Sequence, residues 1–240
     1  MKPIYFICLF ILAFSCKKTD RTLTKITAKN IAIDTTIMAS PEIDSIVNLY
    51  KVDLTDEMDK VLSFTAKDLS KKSTQMQSDL GNLVADLSVE MANPIFKDET
   101  NNAIDFALFN SGGLRASIDA GNVTNESSFK LMPFDNELVV VNLTGDKVED
   151  LIDYFIRNKS AHPLSKNIDL LIKEDTFDLK INGKKFNKNQ TYNVLTSDYL
   201  QTGGDGMDFF KNPQKLTTLN YKMRDAIIDY FKKTDTLKVV

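Results

Sequence analysis

Two glycine-bearing stretches hold the residue types best suited to chemistry. The first is Asn110-Ser111-Gly112-Gly113-Leu114-Arg115, which follows the apolar run Ile104 to Phe109. That run reads as a buried strand. Adjacent glycines let a backbone turn tightly or approach a ligand without interference from a Cβ. The arginine that follows can grip a phosphate or carboxylate with two parallel donors. The second stretch is Tyr199 to Gly206, with Gly203-Gly204-Asp205-Gly206 at its end, and it too follows a candidate strand, Tyr192 to Thr196. Loops leaving strand ends are common places for ligand binding. The first stretch also fits an ordinary strand-to-turn link with a surface arginine, and spacing alone leaves both readings open.

Composition narrows the chemistry. Of 240 residues, 42% are hydrophobic and 26% charged, the balance of a soluble globular protein. A net charge of −3 gives no electrostatic case for binding nucleic acid or a membrane surface. There is one histidine, His162, in a polar loop over residues 158–167, where it reads as a solvated residue. A catalytic zinc or two-metal site usually draws on several His and carboxylate ligands, so no self-contained site of that kind is expected. A carboxylate-only Mg²⁺ or Ca²⁺ site stays open, although no EF-hand spacing is present.

The first sixteen residues read as a leader. Lys2 supplies a charged start, Ile4 to Phe14 is apolar but short for a membrane span, and Ser15-Cys16-Lys17-Lys18 ends it. A small residue before a cysteine resembles a bacterial lipoprotein signal, after which Cys16 would carry the lipid. An ordinary secretory signal or an N-terminal anchor fits as well. Residues 17–25 then form a tether, and 26–240 a single domain. The expected place is the bacterial cell envelope, lipid-anchored at the outer membrane on its periplasmic or surface face. Both cysteines, Cys8 and Cys16, lie in the leader, so the rest of the chain has no thiol nucleophile and no disulfide.

The positioning elements follow from pattern. Ile26 to Ile37 alternates imperfectly and suggests a first strand. Ser40-Pro41-Glu42 starts a helix with Ile43, Ile46, Val47 and Tyr50 at helical spacing, and Val61 to Leu69 is ambiguous. Ser78-Asp79 caps a second helix with the stripe Leu80, Leu83, Val84, Leu87 and Met91, which Asn93-Pro94 is expected to end. Ala120-Gly121-Asn122 reads as a turn. Glu137 to Leu143 reads as a strand buried on both faces, followed by a helix with Val148, Leu151, Ile152 and Phe155 on one side. Ile168 to Lys173 and Phe177 to Ile181 form a strand pair near the turn signal Asn182-Gly183. A C-terminal helix carries Met223, Ile227, Ile228 and Phe231. The fold class is α+β, a mixed sheet covered by helices.

At this point the chain resembles the C-terminal domain of the 5′-nucleotidase family. Gly81-Asn82-Leu83 with Asp86 is similar to its Gly-Asn-Leu segment, and Asn110 with Gly112-Gly113-Leu114-Arg115 to its Asn-x-Gly-Gly-Ile-Arg motif. Pro133-Phe134-Asp135-Asn136 resembles Pro-Phe-Gly-Asn, and Leu143-Thr144-Gly145 resembles Leu-Thr-Gly. Tyr192 to Gly206 is similar to the block ending in Gly-Gly-Asp-Gly. The resemblance implies that Arg115, with Asn110 and Gly113 beside it, holds a phosphate or a neighbouring ligand oxygen. It implies that Phe134 and Tyr199 sandwich a nucleobase, Asn136 bonds the base edge and Asp205 the ribose hydroxyls. Judged without the resemblance, Phe134 and Tyr199 fit core or rim packing better.

The departures are specific. Thr74 and Gln77 stand where the family usually has Arg and Glu, and Asp135 replaces glycine. The metal-binding motifs of the metallophosphatase domain that accompanies this one in the family are absent from the sequence. The resemblance therefore implies a nucleotide- or nucleoside-recognition subunit of a split phosphohydrolase, with divalent metals on a separate metallophosphatase chain and no cofactor or catalytic residue in this one. Two other readings remain: a non-catalytic nucleoside-binding or interaction lipoprotein, and an enzyme complete in itself.

Overall fold

The computed structural model describes residues 23–72, 76–174 and 176–238. Cys16, Thr74 and most of the 17–25 tether lie outside them. The chain divides into two units, one up to Asn48 and one from Leu49 onward. Within the first, the described residues are exposed, and Ile26 to Ile37 is not a strand but an irregular segment with a bend near Asp34. Its alternation buries no face, and without a covered face or a partner strand a lone strand has little to hold it. Helix α1 (Pro41–Met58) starts on its proline with Glu42 and Asp44 in the first turn, and none of its residues is buried.

In the larger unit, strand β1 (Val61–Thr65) settles the ambiguous segment and pairs antiparallel with β3 (Gly121–Thr124). Gly121, expected in a turn, therefore opens a strand. Helix α2 (Asp79–Thr100) is capped by Ser78, whose side chain accepts from the Gly81 N–H. It does not stop at Pro94. A proline inside a helix removes one backbone bond and costs about 3 kcal/mol. Here Ala92 and Phe96 are buried on either side of the break, and Asn93 Oδ1 accepts from the Ile104 N–H at 2.9 Å, so the helix runs on until Asn101 closes it at φ 57°. Helix α3 (Asn125–Leu131), with a Thr124–Ser127 capping box, is too short for its period to be seen in the sequence.

The central sheet has four strands in the order β2 (Phe106–Ala107), β8 (Thr191–Ser197), β4 (Glu137–Thr144) and β9 (Lys215–Lys222). β2 and β8 are parallel and the other neighbours antiparallel, so the sheet is mixed. β9 has no clean alternation and escapes a pattern reading. A short helix, α5 (Asp198–Gln201), follows β8. Along β4, Leu138 and Val140 pack with α2 and the C-terminal helix α6 (Met223–Lys233), whereas Val141 and Leu143 pack with α4 (Gly145–Asn158). Successive side chains point to opposite faces, so the Leu138–Val141 run is apolar because both faces are covered. Three further strands, β5 (Ile168–Lys173), β6 (Thr176–Ile181) and β7 (Lys184–Lys185), form a meander, and Asn182-Gly183 turns β6 into β7. The α+β class holds, with the strands divided among three sheets. Leu80 and Leu87 in α2 are almost fully buried, and truncating either to alanine should cost about 2–5 kcal/mol.

Candidate functional site

Topology brings the two glycine stretches together. β2 and β8 are parallel neighbours, Phe106 opposite Val194, so the segments leaving their C-terminal ends emerge side by side. β4 is antiparallel to β8, Leu138 opposite Ser197, so the residues entering β4 arrive at the same edge. Asn110 to Arg115, Tyr199 to Gly206 and Pro133 to Asn136 thus share one end of the sheet.

Asn110 and Asp205, 95 positions apart, are bonded directly: Asn110 Nδ2 donates to Asp205 Oδ2 at 2.7 Å. The other carboxylate oxygen, Oδ1, accepts from the Tyr199 hydroxyl at 2.8 Å. That bond to a carboxylate raises the Tyr199 pKa and keeps the phenol protonated. Asp205 sits in the left-handed region at φ 53°, a conformation that aspartate tolerates better than most residues. Helix α4 supports it, because the Tyr154 hydroxyl donates to the Asp205 carbonyl at 3.2 Å. The glycines are there for proximity. A Cβ on Gly204 would lie 2.4 Å from Tyr199 Cε1, so the Tyr199 ring rests on bare backbone. A Cβ on Gly113 would lie 2.9 Å from Asn110 Oδ1.

Arg115 and Phe134 make the other half. The guanidinium carbon lies 5.8 Å from the centre of the Phe134 ring, within cation–π range. Arg115 Nη1 reaches the Gly112 carbonyl at 3.4 Å, and the Arg115 N–H donates to the Leu131 carbonyl at 2.9 Å. Phe134 and Tyr199 are 40% and 45% exposed, far more than core aromatics such as Phe106 or Phe210. That settles the packing alternative against the core. Among the described residues the two rings form no aromatic pair with each other. Asn136 holds Met223 through its carbonyl, which accepts the Met223 N–H at 2.9 Å, and its side chain makes no hydrogen bond among the described residues.

Sequence reasoning missed three supports. His162 is not a solvated loop residue. Its Nδ1 accepts the Ser111 N–H at 3.3 Å, its Nε2 is buried, and its ring packs 5.6 Å from Tyr154 and 5.7 Å from Phe155. Burial pushes its pKa below the ordinary value, with Asp205 opposing the shift. The His162 loop is laid down by α2: Asp86 Oδ1 accepts the Lys166 N–H at 2.8 Å, and Gly81 faces Pro163 closely. The Gly81-Asn82-Leu83 segment therefore acts from below, through that loop, rather than in the site. Tyr154 is the second support. The third is Arg224, whose terminal nitrogens reach the Met132 and Phe134 carbonyls at 3.3 Å and the Asp135 carboxylate. Asp135, the residue in place of glycine, is thereby ion-paired. No local signal in the sequence links Arg224 to a loop some ninety positions earlier.

Among the described residues the donor set does not fit a catalytic metal pair. The one histidine has Nδ1 occupied and Nε2 buried, and among the described residues no group of three or more His, Cys, Asp or Glu side chains is placed to hold a metal.

The family described as 5′-nucleotidase, C-terminal domain, matches residues 57–212. Protein UshA of Escherichia coli (strain K12) is 30% identical over 139 residues, which are 56% of this chain and 25% of that protein. The trifunctional nucleotide phosphoesterase protein YfkN of Bacillus subtilis (strain 168) is 27% identical over 226 residues, 87% of this chain and 15% of that one. In structure, a 5′-nucleotidase precursor from Thermus thermophilus shares the fold, with a TM-score of 0.65 at 21% identity over 82% of this chain and 41% of that chain. The chain thus spans about a quarter or less of the length of the first two relatives. All five motif segments lie within the matched residues, which make up more than half of the sequence, and the chain belongs to the 5′-nucleotidase C-terminal domain family.

Proposed function

We propose that this chain is the nucleotide-recognition half of a 5′-nucleotidase-type phosphohydrolase. The observation that carries the reading is the convergence, at one end of the sheet, of a carboxylate held by Asn110 and Tyr199 with an exposed aromatic ring beside Arg115. A nucleotide needs such a set. Tyr199 and Phe134 offer flat apolar faces for a base, and stacking on such faces contributes about 1–3 kcal/mol per base. Asp205 keeps unused lone pairs after its two bonds and can accept from ribose hydroxyls. Arg115 supplies charge for a phosphate, and the side-chain amide of Asn136 is free to read a base edge.

Divalent metals on a separate metallophosphatase chain would activate the attacking water and neutralise phosphoryl charge. This chain's residues would bind and orient. We propose further that Cys16 carries a lipid and holds the protein to the bacterial envelope, on the strength of the Ser15-Cys16 signal.

Calorimetric titration with AMP, alone and with a candidate metallophosphatase, tests the reading. The expected result is AMP binding by this chain and phosphate release only in the mixture. Binding with no partner-dependent turnover would leave a nucleoside-binding lipoprotein. Turnover by the purified chain, or no binding, would overturn the reading.

A further inference from the structure

The Phe134 loop is held from outside the site. Arg224, second residue of α6, has only 12% of its side chain exposed. Its guanidinium carbon lies 4.6 Å above the Phe129 ring of α3. One terminal nitrogen donates to the carbonyls of Met132 and Phe134, both at 3.3 Å, and the other to the Asp135 carboxylate. Lys222 Nζ stands 3.6 Å from the same carboxylate, and the Met223 N–H bonds the Asn136 carbonyl. Met132, Phe134, Asp135 and Asn136, all on one loop, are therefore fastened to the β9–α6 junction. Arg224 lies beyond the residues that match the family. The acid at position 135, which departs from the family's glycine, is its counterpart.

Resting on the nucleotide-recognition reading, we infer that Arg224 is a positioning residue: clasped to Asp135, it fixes the loop that presents Phe134 and Asn136 to the base. The planar guanidinium can stack on one ring while forking to a carboxylate and two carbonyls, which no other side chain can do at once. The clasp bonds the base wall directly and meets Arg115 only through the Phe134 ring, whose centre lies 5.8 Å from the Arg115 guanidinium carbon. Arg115, on the phosphate side, donates its own backbone N–H to the Leu131 carbonyl, upstream of every atom Arg224 bonds in the loop.

The test measures AMP and adenosine binding by calorimetry in the full chain, with Arg224→Met, Arg224→Lys, Asp135→Ala and Phe134→Ala. Methionine keeps the packing on Phe129 and removes the clasp. The loss expected for charge-assisted hydrogen bonds is about tenfold or more in affinity for both ligands. Lysine should recover part of it. Asp135→Ala, on the exposed side of the clasp, should weaken binding by about two- to fivefold and tests the pair even if Arg224→Met folds poorly. A double-mutant cycle separates positioning from a general structural role. If Arg224 acts through the Phe134 wall, Arg224→Met should cost little further affinity once Phe134 is alanine. Additive losses in the cycle, or unchanged binding in both Asp135→Ala and Arg224→Met, would overturn the inference while leaving nucleotide recognition intact. Failure of the unmutated chain to bind AMP or adenosine would overturn the reading beneath it.

Discussion

The two walls of the site are built by opposite means. The Tyr199 wall is fixed by what is missing: Gly204 has no side chain where the ring lies, and Gly113 has none where Asn110 turns. Its bonds run inside the site, from Asn110 to Asp205 to Tyr199. The Phe134 wall is fixed by what is added, a largely covered cation brought from the last helix to an exposed acid on the loop. The first depends on contact geometry and direct hydrogen bonds to Asp205. The second depends partly on an exposed ion pair. They should therefore fail under different insults.

The largest effect is expected at Gly204. Its φ is not in the left-handed region, so the backbone accepts alanine, and the penalty comes only from a Cβ 2.4 Å from a ring carbon of Tyr199. The ring must move, and its hydroxyl must leave Asp205. Gly204→Ala should lower AMP affinity by more than about tenfold, the scale of a lost base stack, with folding stability barely changed. A crystal structure or calorimetry of that variant with Tyr199 unmoved and affinity intact would dissolve the distinction between the walls. Next is Asn110→Ala. Asn110 is nearly buried, and its loss removes one of two donors to the Asp205 carboxylate. A fall in stability of about 1–2 kcal/mol in urea denaturation is expected, together with a several-fold loss of AMP affinity.

The same contrast explains what could be seen in the sequence. Pattern marked the glycines of the Tyr199 wall at fixed offsets from strand ends, with Asp205 among them, but not the bond that joins Asp205 to Asn110, 95 positions away. The central sheet was legible at β4, where burial on both faces leaves a run of Leu138 to Val141. Continuation of α2 through Pro94 was not, because the local rule lost to burial of Phe96 and to the Asn93 bond with Ile104. Nor was β9, whose pattern is set by its place at the sheet edge. His162 and Arg224 were illegible for a shared reason: each acts on backbone groups far away in sequence, Ser111 in one case and Met132 and Phe134 in the other. Composition showed that His162 was alone, and being alone argued against a metal ligand but gave no sign of a half-buried support.

His162 yields a smaller effect, confined to the glycine wall. Its neutral form accepts the Ser111 N–H, and burial holds its pKa below the ordinary 6.5. Because the folded chain takes up this proton less readily than the unfolded chain, the contribution to stability is complete above about pH 6.5. It is lost as pH falls below that point toward the lower folded value. Thermal unfolding followed from about pH 7.5 to 5.5 should show a declining midpoint that His162→Phe flattens. A decline of equal slope in the variant would assign the pH dependence elsewhere.

The smallest expected effect separates the walls by salt. Asp135 is 68% exposed, and the Arg224 guanidinium beside it holds its carboxyl below the usual range. An exposed pair is screened when the Debye length shrinks from roughly 30 Å at 0.01 M to roughly 3 Å at 1 M ionic strength. The Tyr199 network is short hydrogen bonds against a glycine backbone and, among the described residues, has no ion pair to screen. Adenosine, which carries no phosphate, removes the salt response of Arg115 from the measurement. Its affinity should weaken by less than about threefold across that range in the unmutated chain and stay level in Asp135→Ala, whereas Tyr199→Phe should shift affinity at every salt without changing the slope. A salt slope that survives Asp135→Ala would mean that the Phe134 loop is held by Arg224's carbonyl bonds and ring contact alone, with the acid at position 135 as a passenger.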